Sequence, residues 1–210
     1  MKLRDLILSM DTAEEIPILV DDVARLLESS GVCDEVYFIA ADMDEAKVKG
    51  FITQWERLPA PYSIDSVDVT GACIYYSQEM NECWKRYVCA KEIVHLLDTS
   101  SVIVDSEDKL NDLMIGMSTD ISVWIQKMLK ATGDELQRPP LSASCMMDFA
   151  AEWLALFVLV PPTPRQVVIE KYLAKEFTDA DVAYLFRIPQ KLVPFVVSPV
   201  YDELVGKLLQ

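Results

Sequence analysis

Apolar positions near the start of the chain recur with a helical period, and further on they gather into short strand-like runs. Ile18, Leu19, Val23, Leu26 and Leu27 fall on one helical face and Gly31 follows where a helix would stop, which predicts a helix over 22–29. Val36 to Ala40 is a short, β-rich apolar run. Val48 to Trp55 tilts to a strand through its β-branched and aromatic content, and Ala72 to Tyr76 forms a third run. A loop with Pro59 and Pro61 separates the last two. A long helix is then predicted from about Ser77 or Asn81 to Leu97.

Beyond it the period stays helical. Helices are predicted over 106–116, 120–132 and 142–160, divided by polar residues and by Arg138-Pro139-Pro140. Pro161, Pro162 and Pro164 end the third sharply. Short helices follow at 165–175, 179–186, 190–197 and 200–209. The pattern predicts an α+β fold, mostly helical, with a small sheet beside the 81–97 helix. It divides into a main domain over 1–162 and a helical C-terminal extension over 163–210 packed on it.

Composition narrows the function. The 210 residues are 51% hydrophobic, enough for a sizeable core, and carry a formal charge of −15. That charge disfavours nucleic acid and anionic membranes as partners, since both call for clustered Lys and Arg. It is unevenly spread: residues 163–210 hold six basic and six acidic side chains, so the whole excess falls on residues 1–162. The apolar N-terminal stretch is interrupted by Asp5 and ends at Asp11, too short for a signal-peptide core. The window from Cys145 to Val160 is crossed by Asp148 and Glu152 and is too short to span a membrane. Five cysteines without a CxxC pair suit reduced thiols in the cytoplasm.

The chemistry-bearing motif is Lys91-Glu92-Ile93-Val94-His95. On a helix, positions 91 and 95 lie one turn apart on the same face and position 92 is offset by about 100 degrees. Zinc proteases put two imidazoles at those first two positions to grip an ion, with the glutamate as base. Here Lys91 stands at the first position, and His95 is the only histidine in the chain. Taken alone, a KExxH spacing arises easily on any amphipathic helix.

Its surroundings are more specific. Ala72-Cys-Ile-Tyr-Tyr-Ser77, followed by Arg86-Tyr-Val-Cys-Ala-Lys-Glu-Ile-Val-His-Leu-Leu97, resembles the edge strand and the R-F-x-x-A-H-E-x-x-H helix of the ImmA/IrrE family of zinc-peptidase-like proteins. Asp148-Phe-Ala-Ala-Glu-Trp-Leu-Ala-Leu-Phe-Val-Leu-Val-Pro161 is similar to that family's second helix, E-x-x-A-N-x-F-A-x-x-L-L-M-P. The resemblance covers about residues 17–161 and implies a zincin-like core. It puts Lys91 at the first histidine ligand, Glu92 at the general base, His95 at the second ligand, Asp148 at the acidic third ligand, Ala151 at the family's alanine and Glu152 at its asparagine.

Two readings follow. In the first, Lys91 supplies the charge an ion would have supplied, pairing with Asp148, Glu92 or Glu152. The chain then has no cofactor and is a regulatory or protein-binding module with a degenerate site. In the second, His95 and Asp148, with Glu152 as an optional further ligand, hold a divalent metal such as zinc, Glu92 is the base, and the chain is a narrow-specificity endopeptidase cleaving a repressor-type regulator. One nitrogen and two oxygens make a poor zinc set. A third reading is a plain interaction subunit that oligomerises through an apolar helix face.

Other features have simpler explanations. Cys89 lies six residues from His95, about 120 degrees away around a helix, and reads as a buried, inert thiol. Trp84, Trp124, Trp153, Phe149 and Phe157 read as core, as do Met114, Met117 and Met128. Asp98, Asp105, Glu107, Asp108 and Asp112 lack EF-hand spacing and read as a solvated surface. The cadence of 179–197 suggests two helices joined by a turn, but zero net charge and Pro194 disfavour a DNA-reading pair.

Overall fold

Leu3, Leu6, Ile7 and Met10 recur at helical spacing, and the chain opens with helix α1 (Leu3–Asp11), which buries Leu6, Ile7 and Met10. The polar interruptions that make this stretch a poor targeting signal are the solvent side of an amphipathic helix that the sequence expectations above do not include. The structure, a computed structural model, describes residues 1–13, 15–45, 48–57, 69–97 and 143–209, with the backbone alone for 56, 57, 143–150 and 207. The helices predicted over 106–116 and 120–132, Trp124, the methionines around it and the acidic residues from Asp98 to Asp112 lie outside the described residues.

Helix α2 (Val20–Ser29) ends where expected, with Gly31 in the left-handed region at φ 69°. Strands β1 (Glu35–Ala41), β2 (Gly50–Arg57) and β3 (Val69–Ser77) then form one mixed sheet in the order β1-β3-β2. β1 runs parallel to β3, and β2 runs antiparallel to it. The sequence resemblance assigned 72–77 to an edge strand. Instead β3 is paired along both sides, because its small and apolar residues suit a strand flanked on each edge.

Two glycines permit close approach. A Cβ on Gly71 would run into the Trp55 indole that covers it. A Cβ on Gly50 would meet Val88 Cγ1 and lie 2.7 Å from Tyr75 O, so only glycine lets the next helix settle on the sheet there. That helix is α3 (Glu82–His95), whose N-cap Asn81 accepts a hydrogen bond from the Trp84 amide at 3.1 Å. α3 lies over β2 and β3, touches α2, and packs most extensively along α4 (Ala143–Leu159).

The proline run both ends one helix and begins another. Pro162 occupies the first turn of α5 (Pro162–Leu173), where a missing N–H is harmless, and Asp11 at the end of α1 caps that turn by accepting from Thr163 N at 2.6 Å and Thr163 Oγ1 at 2.9 Å. α6 (Asp179–Phe186) opens with a reciprocal cap between Thr178 and Asp181. The helix predicted over 190–197 is split into a 3₁₀ turn (Gln190–Leu192) and a single turn α7 (Val193–Val196) with Pro194 in its first positions; α8 (Pro199–Leu209) follows. The result is a mixed α/β molecule, predominantly helical. No described helix is long and apolar enough to cross a membrane.

One core joins both parts of the chain. Trp153 and Phe157 of α4 meet Phe195, the former edge-on with ring centroids 3.6 Å apart, and Phe157 meets Tyr201 edge-on at 4.9 Å. Trp153 and Phe157 are buried as read from the sequence, while Trp84 is half-buried.

Candidate functional site

Every residue of α3 from Arg86 to His95 is buried. A helix buried all round has no solvated face on which to keep its polar residues, so each must be answered inside the protein. Two neighbours fix how it is turned. Tyr87 donates its hydroxyl to Glu152 O on α4 at 3.1 Å, which aims the 87–91–95 face towards α4. Val88 meets β2 at Gly50, and the Glu92 carboxylate Oε1 lies 3.7 Å from where a Cβ there would be, which aims the 88–92 face towards the sheet.

Lys91, Glu92 and His95 are 3%, 2% and 2% exposed. Lys91 Nζ lies 2.8 Å from Glu92 Oε1, so the ammonium pairs with its own neighbour in sequence. This is an ion pair of contact but not of hydrogen-bond geometry. Glu92 Oε1 is completely shielded from solvent and accepts no hydrogen bond among the described residues. Adjacent residues on a helix point about 100 degrees apart, so their side chains must bend towards each other and cannot align well.

Glu152 is half-buried on α4, and Asp148 falls one turn earlier, where the backbone alone is described. The structure therefore brings together Lys91, Glu92, His95 and the helix that bears Asp148 and Glu152. Among the described residues, no three His, Cys, Asp or Glu side chains gather as metal ligands. The donor set on α3 does not suit zinc: a protonated lysine has no lone pair, and its charge opposes an ion held by His95 on the same face.

Cys89 is buried, and burial above all pushes its thiol up to about 12, with the charges of Glu92, Glu82 and Asp21 adding to the effect. It is no thiolate nucleophile. Cys33, next in sequence to the Asp34 that bonds Thr70, is likewise raised to about 11, first by burial and then by Glu28 and Asp34.

The sequence reading missed two buried guanidinium groups. Arg86 donates to Phe186 O at 3.0 Å, to Arg187 O at 2.8 Å and to Ile18 O, and so ties α3 to the end of α6 and to the approach of α2. Burial lowers its pKa, against which these carbonyls hold the charge. Arg165 is 1% exposed and donates to Val196 O at 2.6 Å, Ser198 O at 3.1 Å and both Asp202 carboxylate oxygens at 2.5 and 3.2 Å, with its guanidinium 4.1 Å from the Tyr201 ring. A sequence signal for the second existed: a cation early in a helix opposes the helix dipole, so an outside partner should be sought.

No family model, curated protein or solved structure matches the chain.

Proposed function

We propose that this chain is an ImmA/IrrE-like module with a zincin-like core whose metallopeptidase site is degenerate, and that it acts by binding a protein rather than by cleaving one. The observation that carries this reading is the buried Lys91–Glu92 contact of 2.8 Å. In a working site of this layout, the glutamate must be free to take a proton from a metal-held water. Here the carboxylate is engaged by an ammonium from the position of a first ligand, which supplies fixed positive charge and no Lewis acid. His95 beside it is a buried side chain left over from that layout.

The free thiols of Cys33, Cys73, Cys83 and Cys89 suit a reducing compartment, and the cytoplasm is the proposed location. Zinc titration followed by calorimetry tests the reading. The wild type is expected to lack a tight one-to-one site, and Lys91→His is expected to gain one. A nanomolar site on the wild type, abolished by His95→Ala, would replace this reading with the narrow-specificity endopeptidase.

A further inference from the structure

The start of α3 and the turn between α6 and the 3₁₀ segment leave a groove of about 560 Å³, with Trp84, Tyr184, Pro189 and Lys191 in its walls. It lies two helical turns from the Lys91–Glu92 contact. Trp84 is half-buried, with Lys191 Nζ 4.9 Å and Lys49 Nζ 5.8 Å from its ring. Tyr184 is 73% exposed, and the Arg187 guanidinium lies 5.8 Å from its ring. Lys85, next to Trp84 on α3, sits 6.0 Å from the Tyr76 ring.

Trp84, Tyr184 and Lys191 thus line the concavity, and Lys49 and Arg187 lean on its two lining rings, in a chain whose formal charge is −15. Glu82 is the acidic member of the lining. Large aromatic rings are the usual anchors of protein interfaces, and cations already held over them lose little freedom when a carboxylate arrives. The same charge pattern repels an acidic partner from the main body and draws it here. We propose that this groove binds an acidic linear segment of a protein partner, with carboxylates meeting Lys49, Lys191 and Arg187 and an apolar side chain lying between Trp84 and Tyr184.

A nucleic acid strand fits less well. It carries negative charge along its whole length, so beyond these few cations it would run against the acidic body, whereas a peptide can confine its charge to the groove. The proposal rests on the protein-binding reading and names its surface and the chemistry of the partner.

The test is NMR of the full chain labelled with ¹⁵N-tryptophan, following the Trp84 indole N–H, which Trp84→Phe assigns. The probes are short peptides alternating Glu with Leu, Phe or Pro, the same peptides with Lys in place of Glu, and a single-stranded oligonucleotide. The Glu peptides are expected to shift the Trp84 signal saturably, less so as salt rises. Lys49→Glu at a half-buried position with Lys191→Glu at an exposed one is expected to weaken that binding by about tenfold or more with an unchanged far-UV spectrum. Absence of a saturable shift, an equal response to the Lys peptides, tighter binding of the oligonucleotide, or undiminished affinity in the doubly reversed variant would overturn the proposal. Such a failure leaves the Lys91 reading standing, because zinc uptake alone decides that; zinc uptake, in turn, would leave the measured groove affinity as it is.

Discussion

Arg165 and Lys91 are both buried cations, 1% and 3% exposed, yet their surroundings answer them differently. Arg165 has its fork filled by Val196 O, Ser198 O and a two-pronged contact with Asp202, whose side chain is 63% exposed and so keeps most of its hydration. Lys91 faces a carboxylate that is itself buried, and the oxygen it touches accepts no hydrogen bond among the described residues. The first is a fastener between α5 and the last helices, where a planar guanidinium suits several carbonyls at once. The second is an arrangement that stability alone would not select, since burying both members of an ion pair is often no better than burying an apolar pair. Under the degenerate-site reading proposed above, the pair is what is left of a site in which the glutamate had another use.

Substitution can sharpen that contrast. Arg165→Ala should have the largest effect, leaving the carbonyls of Val196 and Ser198 without their donor and Tyr201 without its cation, with an expected loss of about 3–5 kcal/mol in urea unfolding. Breaking the α3 pair one-sidedly should also destabilise, because Glu92→Ala removes a carboxylate from beside a buried ammonium. Replacing both members by apolar residues together, Lys91→Met with Glu92→Leu, should instead cost much less than the single change. A comparable loss in the double variant would mean that the pair fastens the fold as Arg165 does.

Gly50→Ala should destabilise by about 1–3 kcal/mol, since its new methyl group must displace Val88 or lift α3 off the sheet. The smallest effect concerns Cys89 and Cys33. Burial raises both thiols to about 12 and 11, far above pH 8, so mass spectrometry after brief alkylation of the native protein should find both unmodified, and modified only after unfolding. Acid should also loosen the start of the sheet. Asp34 accepts from Thr70 N at 2.7 Å and Oγ1 at 3.0 Å, and these bonds hold its pKa below the ordinary aspartate value. A lowered folded pKa gives stability that is present above the unfolded value and lost as pH falls through the lowered one, so hydrogen exchange at Thr70 should quicken only in that acid range.

What the sequence disclosed followed from how local each determinant is. α2, α3, α4 and α6 and the three strands are written in the spacing of their own apolar residues, and the positions of Lys91, Glu92 and His95 on one helix follow from a five-residue pattern. Sheet order does not: nothing within Val69–Ser77 says that it pairs on both sides. Arg86 gave no sign of its partners either, because they are backbone carbonyls, two of them a hundred residues away, and carbonyls have no residue identity to read. The α1 spacing was present in Leu3, Leu6, Ile7 and Met10 but was weighed only against a targeting signal. Lys91 touches its sequence neighbour Glu92, a contact that helix geometry alone would have ranked low, while the side chain of Asp148, another partner considered, lies outside the described residues.

The most direct test of the Lys91 account is a crystal structure grown with excess zinc, with anomalous data collected at the zinc edge. Lys91 Nζ is expected within ion-pair distance of Glu92, with no anomalous peak beside His95. A peak bound by the His95 imidazole, with the amine swung away from Glu92, would contradict it.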